Sequence, residues 1–281
     1  MTPNLASLKH HGPITSVFIN ENLKSYIFAA IENDLVIIKI DSEKVDTIIN
    51  DHIDCIKSIS ACTQRSHEDV NYNIICTSGY DGYIYGYDIL TLDKILSLEV
   101  GLLVNAIDVK FISCIEVCLV LGSFEGDVQV YELTQNTLLH NIHCSDKPIH
   151  AVAIIETIVP GFIIAGADLE IKIYSLREGI HLISLYGCHT DCIRTIDVTI
   201  DPRLILISGG FDNKTVVYDI HKLAQNDENM RLLLSHLKLK PFKFESKKVY
   251  LFDNSIDETS SVITEVSTFL TDLNKDNDES K

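Results

Sequence analysis

Apolar and polar residues alternate in short runs along most of the chain, and the same arrangement recurs. In each unit a short apolar run ends in small residues, an acidic turn follows, and an alternating segment such as Ile171–Tyr174 comes next. A polar turn and another apolar run, as in His181–Tyr186, complete the unit. Such alternation is typical of half-buried strands, and small or acidic residues between the runs are typical of tight turns. The pattern therefore predicts an all-β fold with four short antiparallel strands per unit.

The unit repeats with a nearly constant period. Alignment on the acidic turn residue gives the series Asp34, Asp81, Glu125, Asp168 and Asp212. Successive members lie 47, 44, 43 and 44 residues apart, and the polar stretch Thr63–Tyr72 explains the longer first step as a loop insertion. A single sheet with two apolar faces cannot bury both of them, whereas radial stacking of such sheets can. The period therefore predicts a β-propeller.

The fifth unit carries the motif on which a family resemblance rests. His189 opens this unit, Ser208 ends its second strand and Asp212 lies in its hairpin turn. With the period, this motif resembles the WD40 repeat, which has about 40–45 residues and ends in Trp-Asp. The resemblance covers about residues 11–236. It implies a hydrogen-bonded tetrad in which Asp212 accepts from His189, and Ser208 links His189 to the hydroxyl of Tyr218.

The Trp of the family is replaced in every unit, because the chain contains no Trp. Its place is taken by Ile40 in the first unit and by tyrosine in the other four, at Tyr87, Tyr131, Tyr174 and Tyr218. Tyr keeps a ring and a hydrogen-bond donor, so we expect the packing and polarity of the site to survive in part. The first, third and fourth units carry Ala30, Leu121 and Ile164 at the Ser/Thr position, which excludes a complete tetrad there.

We expect one propeller domain over residues 1–270, with about six blades. Five recognisable blades are expected at residues 11–52, 53–100, 101–144, 145–188 and 189–236. Residues 237–270 hold three apolar runs without the repeat signature, and we interpret them as a divergent sixth blade. The resemblance implies closure of the ring by an N-terminal strand, for which Leu5–Lys9 is the candidate. The acidic tail, residues 271–281, is predicted to be disordered.

The charge balance bears on partners and location. Asp and Glu number 40 against 23 Lys and Arg, which gives a net charge of −17. Phosphate backbones repel such a chain, so we expect no direct nucleic-acid binding, and several protein partners with basic surfaces. No segment reaches the roughly 18 uncharged apolar residues of a membrane span. The N-terminus also lacks the pattern of a secretory signal, so we expect a cytoplasmic or nuclear protein without membrane insertion.

Sequence motifs for catalysis or metal binding are absent. No GxSxG elbow, glycine-rich phosphate loop or HExxH occurs. Cys188-His189-x-x-Cys192 has no second Cys or His pair at zinc-finger spacing, and the resemblance gives His189 a structural role. We therefore expect no catalytic site, no metal and no cofactor.

An aromatic residue precedes the turn acid in three of the five units, at Tyr80, Phe124 and Phe211. In the family this turn faces the wider rim of the central channel, so the resemblance implies that these rings are exposed anchors for a partner. The alternative is that the rings fold inward between blades, where they would be part of the core.

A second candidate contact is Arg177. The segment Tyr174–Arg177 resembles the Trp-Asp-x-Arg motif with which some WD40 proteins dock on the adaptor of cullin-type ubiquitin ligases, although both signature residues differ. We predict a non-catalytic interaction scaffold or adaptor subunit of a multiprotein complex. The alternatives are a ligase substrate receptor, which rests on Arg177, and an obligate accessory subunit of an enzyme or coat complex.

Overall fold

The computed structural model describes residues 12–19, 26–40, 44–63, 73–113, 116–156, 160–199 and 204–220. These residues form five antiparallel sheets in which neighbouring strands follow one another in sequence. The sheets are the blades of a propeller, as the repeat pattern predicted.

The strand bounds are as follows. Blade one contains β1 (Ile14–Ile19), β2 (Tyr26–Ile31), β3 (Asp34–Lys39) and β4 (Lys44–Ile49). Blade two contains β5 (Ile56–Thr63), β6 (Asn73–Gly79), β7 (Tyr83–Asp88) and β8 (Lys94–Glu99). Blade three contains β9 (Val104–Phe111), β10 (Val117–Ser123), β11 (Asp127–Glu132) and β12 (Thr137–His143). Blade four contains β13 (Ile149–Ile155), β14 (Gly161–Gly166), β15 (Ile171–Ser175) and β16 (His181–Leu185). The described part of blade five contains β17 (Ile193–Thr199), β18 (Ile205–Gly210) and β19 (Thr215–Asp219).

Burial changes from the second strand of a blade to its fourth. Every residue of β10 and of β14 is buried, because these strands have a neighbouring blade on both faces. The outer strands β8 and β12 expose residues along most of their length. The second strands β10 and β14 are therefore buried throughout, whereas the outer strands β8 and β12 have one exposed face, as expected for sheets that stack face to face.

The hydrophobic core consists of the layers between neighbouring blades. Phe28 and Leu35 of blade one, for example, pack with Ile56, Ile75 and Tyr87 of blade two. Equivalent clusters join blades two to three, three to four and four to five. Burying one side chain of this size contributes about 1.5–3 kcal/mol, so each layer stabilises both of its blades.

The innermost strands pack against one another in the order β1, β5, β9, β13 and β17. The described residues contain no comparable packing of β17 on β1. The predicted closing strand Leu5–Lys9, the divergent blade at 237–270 and the tail at 271–281 lie outside the described residues. In the part of the chain that is described, no helix is long and apolar enough to cross a membrane.

Candidate functional site

A buried histidine organises the start of blade five. His189 Nδ1 lies 3.0 and 3.1 Å from the two carboxylate oxygens of Asp212, and its Nε2 lies 2.8 Å from Ser208 Oγ. The backbone N–H groups of Thr190 and Lys214 also donate to Asp212, at 2.9 and 3.2 Å. Burial acts to raise the pKa of Asp212, but these N–H donors and the His189 ring outweigh it and leave that pKa below its usual value. The turn and the segment entering the blade are thus tied together.

Blade two contains the same arrangement, which the sequence-based prediction missed. His52 Nδ1 lies 2.8 Å from Asp81 Oδ2, and His52 Nε2 lies 2.9 Å from Thr77 Oγ1. The Ile53 N–H donates to the same Asp81 oxygen at 3.1 Å. Because a carboxylate only accepts hydrogen bonds, the neutral ring donates from Nδ1 and its Nε2 accepts from the Thr77 hydroxyl.

The sequence did contain a signal for His52. Residues 52–55 read His-Ile-Asp-Cys and residues 189–192 read His-Thr-Asp-Cys, so both histidines open the same four-residue pattern. The interval from histidine to turn acid is 29 residues in blade two and 23 in blade five, and this difference hid the match. The longer interval arises where β5 is joined to β6, outside the described residues.

Glycine precedes the turn in both of these blades because the histidine lies close to the backbone. A Cβ atom at Gly79 would lie 3.0 Å from His52 Nδ1, and one at Gly210 would lie 2.8 Å from His189 Nδ1. A side chain at Gly210 would force the imidazole or its carboxylate to shift, and one at Gly79 would press on both His52 and the Cys55 carbonyl. The tetrad therefore favours glycine at this position because the histidine ring approaches the backbone closely, and not because the glycine has a positive φ angle.

The tyrosines in the Trp position differ between the two blades. Tyr218 is within hydrogen-bond reach of Ser208 and Cys188, and its pKa is raised by burial first and then by the contact with Cys188. The Tyr87 hydroxyl likewise lies within reach of Thr77, and it donates to Asp51 Oδ2 at 2.9 Å. In both blades the tyrosine thus lies beside the tetrad hydroxyl, and its further partner is a cysteine in blade five but a carboxylate in blade two.

The segments that begin with His52 and His189 enter β5 and β17 at one end of the central channel. At this end each innermost strand has a β-bulge. Register shifts interrupt the pairing of all five innermost strands with the second strands at this end. The residues at the five bulges are Thr15, Lys57, Asn105, His150 and Arg194. All five line the channel, which has a volume of about 930 Å³. Bulges re-aim side chains, and we refer to these five residues as the bulge ring.

The three aromatic residues predicted at the rim lie at this same end. Their N–H groups donate to carbonyls that immediately precede the innermost strands, in the pairs Tyr80–Cys55 (3.1 Å), Phe124–Leu103 (2.8 Å) and Phe211–Cys192 (2.9 Å). Phe124 is 49% exposed and Phe211 is 63% exposed, whereas Tyr80 is half-buried. The rings of Phe124 and Phe211 therefore face solvent beside the channel mouth, and their role as anchors stays a prediction.

Two cations of the bulge ring rest on two of these aromatic rings. Lys57 Nζ lies 4.8 Å from the centre of the Tyr80 ring, and the Arg194 guanidinium lies 5.1 Å from the centre of the Phe211 ring. The Tyr80 hydroxyl donates to Asn105 Oδ1 at 2.7 Å. Such cation–π contacts hold a charged group in place without neutralising it. The mouth is therefore a mixed surface of cations and aromatic rings.

The bulge ring has basic but no acidic members, whereas the whole chain is acidic. Neither Lys57 nor Arg194 forms an ion pair with a described carboxylate, unlike Lys94, Lys110 and Arg177. The pKa of His150 is lowered, first by burial and then by repulsion from Arg194 and Lys57. The three basic groups line the same channel. Sequence reasoning missed this cluster, whose only linear signal is one polar residue after the first apolar residue of each innermost strand.

Arg177 lies at the other end of the blades. Its Nη1 and Nη2 donate to the two carboxylate oxygens of Glu116 at 2.6 and 2.8 Å, in a bidentate pair that joins blade four to blade three. His140 Nε2 lies 3.0 Å from the Arg177 carbonyl oxygen and makes a second tie. Glu116 immediately precedes β10, and Phe124 immediately follows it, so the pair and the channel mouth are separated by the full length of that strand. The adaptor contact stays a prediction, and Arg177 already has an intramolecular partner.

The cysteines that flank His189 are not brought together with further metal ligands. Both nitrogens of His189 are engaged by Asp212 and Ser208. Among the residues that the structure describes, no group of three or more His, Cys, Asp or Glu side chains is arranged to hold a metal ion. Cys114 lies outside that part of the chain.

The chain resembles known proteins in its structure. No protein-family model and no curated protein sequence matches the chain. The crystal structure of the RRP9 WD40 repeats matches with a TM-score of 0.62 and 14% identity, over 75% of this chain and 62% of that one. The structure of U3-55K matches with a TM-score of 0.61 at the same identity and coverage. This chain thus spans about three-fifths of their length. It has the WD40-type β-propeller fold, which confirms the predicted fold class.

Proposed function

We propose that this propeller is a non-catalytic scaffold or adaptor subunit that binds protein partners at the mouth of its central channel. The WD40 propeller is in general a fold for protein interaction rather than catalysis, which supports this role. The observation that carries the proposal is the mouth itself, where five polar bulge residues surround an open channel beside two exposed phenylalanines. Aromatic residues and arginine are the side chains enriched at binding hot spots.

The mouth is held rigid by bonds between the innermost strands. Ser58 Oγ accepts from the Ile107 N–H at 3.2 Å, which ties blade two to blade three. Asp108 Oδ2 accepts from the Ile154 N–H at 2.8 Å, which ties blade three to blade four. Since β5, β9 and β13 carry Lys57, Asn105 and His150, these bonds limit changes in the separations of these three members. A preorganised surface loses less entropy on binding, which favours specific recognition.

We propose further partners for the remaining surface. With a net charge of −17, the protein attracts proteins with basic surfaces over distances of about a Debye length, and it repels nucleic acid and anionic lipid. We therefore propose several protein partners, no direct nucleic-acid contact and no membrane insertion, in the cytoplasm or the nucleus. A rigid ring with two faces and a circumference suits such multiple contacts.

The sixth blade also stays a proposal, with residues 237–270 as its source. Blade one has an exposed apolar surface against which another blade could pack. It consists of Ile14, Val17 and Ile19 of β1, which are 55%, 56% and 59% exposed. Blade five contributes Ile207, which is 42% exposed. A partner's blade would fit the same place, which keeps the accessory-subunit alternative open. The ligase-receptor alternative has no such support, because Arg177 is paired with Glu116.

The experiment that tests the scaffold role compares two double variants in cells that express the tagged chain. Phe124→Ala with Phe211→Ala removes the exposed rim rings, while Ile95→Ala with Leu138→Ala removes two apolar side chains of similar exposure, 57% and 48%, from the outer strands. Both variants should melt close to the unmodified chain, because exposed rings contribute little to stability. Mass spectrometry of the purified material should show partners lost from the rim variant alone. Partners retained by the folded rim variant would contradict the proposal.

A further inference from the structure

We propose that the mouth of the channel recognises an acidic peptide segment of a protein partner, with Lys57, His150 and Arg194 facing its carboxylates. This inference rests on the proposed function, since it names the chemistry of the partner that binds the same face. It also separates the mouth from the rest of the surface, for which the charge of the chain favours basic partners.

The composition of the bulge ring is the first argument. Its members are Thr15, Lys57, Asn105, His150 and Arg194, so three of five are basic and none is acidic. This occurs in a chain with 40 acidic and 23 basic residues. The channel is also lined by Asp108, Glu156 and Asp197, which come later than the bulge residues in or just after β9, β13 and β17. The field that attracts an anion is therefore that of the mouth, where low-dielectric walls concentrate it.

The second argument is that the neutral and the basic members of the bulge ring make different contacts. The neutral members bond across the seams between blades, since Thr15 Oγ1 donates to the Ile56 carbonyl, and Asn105 Nδ2 donates to the Ile149 carbonyl at 3.0 Å. Lys57, His150 and Arg194 make no side-chain hydrogen bond to any described residue. The neutral members therefore maintain the ring, while the N–H donors of the basic members remain available to a ligand.

The third argument is that the two cations are positioned. Tyr80 and Phe211 lie against Lys57 and Arg194 at 4.8 and 5.1 Å, and Tyr80 is itself fixed by its hydrogen bond to Asn105. An aromatic ring contacts the face of a guanidinium and leaves the N–H groups at its edge free to bind a carboxylate. The cations thus keep both their charge and their donors.

The acids near the mouth limit where the ligand lies. Asp54 and Asp191 use their Oδ1 atoms to accept from the N–H groups of Cys55 and Cys192, both at 2.6 Å. Glu125 lies in the exposed turn after Phe124. These carboxylates lie in the loops outside the channel, so they repel an anionic segment from the periphery. The favourable position is over the centre of the ring, which suits a narrow peptide loop or tail.

The probe is a fluorescein-labelled peptide of alternating glutamate and glycine, tested by anisotropy against the full chain at low and physiological salt. A matched peptide has glutamine for every glutamate. The ring variant is Lys57→Gln with Arg194→Gln. The control variant, Lys147→Gln with Lys214→Gln, removes the same charge from two lysines outside the ring. Since hydrogen bonds to charged groups are strong, we expect the ring variant to weaken glutamate-peptide binding about tenfold or more and the control about threefold or less.

A second readout locates the bound peptide. A carboxylate beside His150 favours its protonated form, so saturation with the glutamate peptide should raise the pKa of His150, followed by NMR of the imidazole. The pKa of His143, on an outer strand, should not change. If the ring double variant fails to fold, Arg194→Gln alone is tested by the same two measurements.

Three results would each overturn the inference. The first is equal binding of the two peptides, and the second is equal weakening of binding in the two double variants. The third is displacement of the peptide by inorganic phosphate at equal charge concentration, which would indicate a simple anion site.

The inference and the proposed function fail separately. Loss of cellular partners in the Phe124 and Phe211 variant without glutamate-peptide binding would leave the scaffold role and remove the acidic ligand. If peptide binding depends on the ring but the rim variant retains all cellular partners, the acidic ligand is kept and the proposed scaffold role at the mouth is removed.

Discussion

Blades two and five keep a histidine, a hydroxyl and a carboxylate, whereas blade three fills the same space with apolar side chains. By alignment, Val100 stands where blades two and five have histidine, and Leu121 stands where they have Thr or Ser. Both Val100 and Leu121 belong to the cluster between blades two and three. Ser123 replaces the glycine before the turn, which is tolerated where no imidazole lies close. Blade three thus has apolar or small residues in place of the histidine, the hydroxyl and the glycine together.

Blade four offers a third solution at the same place. Ile164 replaces the hydroxyl residue, and Asp168 pairs with Lys172 Nζ at 2.7 Å instead of with a histidine. The same Nζ donates to the Cys144 carbonyl at 2.8 Å. The blades therefore share their strand geometry and a stabilised turn, but the side chains that stabilise the turn differ from blade to blade. Removing one partner of a buried network is costly, whereas replacing all partners with apolar groups can be almost neutral.

The largest effect is expected when one member of an intact network is removed. Asp81→Ala and Asp212→Ala each leave a buried imidazole and backbone N–H groups without an acceptor, at about 1–3 kcal/mol for each unmatched group. Asp34→Ala is the matched control, because Asp34 accepts only from the exposed Asn50 side chain among the described residues. Thermal melting should fall much further for the first two variants than for the control. Equal melting temperatures in all three would show that the tetrads contribute no more than a surface turn.

A smaller effect should appear as coupling between two members of one network. His189→Ala and Ser208→Ala each leave the other group unmatched, but the double variant leaves neither. The double variant should therefore be more stable than the sum of the two single losses by about 0.5–3 kcal/mol, measured by urea unfolding. The matched pair Val100→Ala and Leu121→Ala in blade three has no hydrogen bonds to couple. Strict additivity in blade five would remove the argument that the network acts as a set.

The smallest effect concerns pH. Burial lowers the pKa of His52 from its ordinary value of 6.5, although Asp81 opposes this. The folded state therefore favours neutral His52, and its contribution to stability is present above pH 6.5 and is lost as the pH falls below it. His143 has the opposite sign, because hydrogen bonds to Asp127 and Asp146 raise its pKa. Its contribution is present at low pH and is lost as the pH rises.

The measurement is the melting temperature between about pH 7.5 and pH 5.5. His52→Gln should lower the melting temperature at neutral pH but reduce its fall on acidification. His143→Gln should leave the neutral value almost unchanged and make the fall steeper. A His52 variant with the same acid slope as the unmodified chain would mean that another group carries the pH dependence.

The sequence predicted the features that are local. Alternation, small residues and turn acids recur within a few positions of one another, so the strands of blades one to five follow from the pattern. The arrangement around His189 was predicted from the resemblance of the fifth unit to the WD40 repeat. His52 was not found, because the longer connection before β6 changed its distance from Asp81.

The features that were missed depend on contacts between blades. Arg177 and Glu116 are 61 residues apart in sequence, and nothing in either neighbourhood indicates their pairing. The bulge ring is defined by the register between two strands and by its closeness to other blades. Lys57, His150 and Arg194 form a cluster only because β5, β13 and β17 meet at one channel, which linear spacing does not encode.

The bulges have an evolutionary consequence. A residue at a bulge lies outside the ladder of paired hydrogen bonds, so its side chain can change without altering strand register or the core. Substitutions at positions 57, 150 and 194 therefore change the charge of the mouth while the five blades remain as they are. If the mouth binds a ligand as proposed, a few such substitutions alter what it binds at little cost in stability.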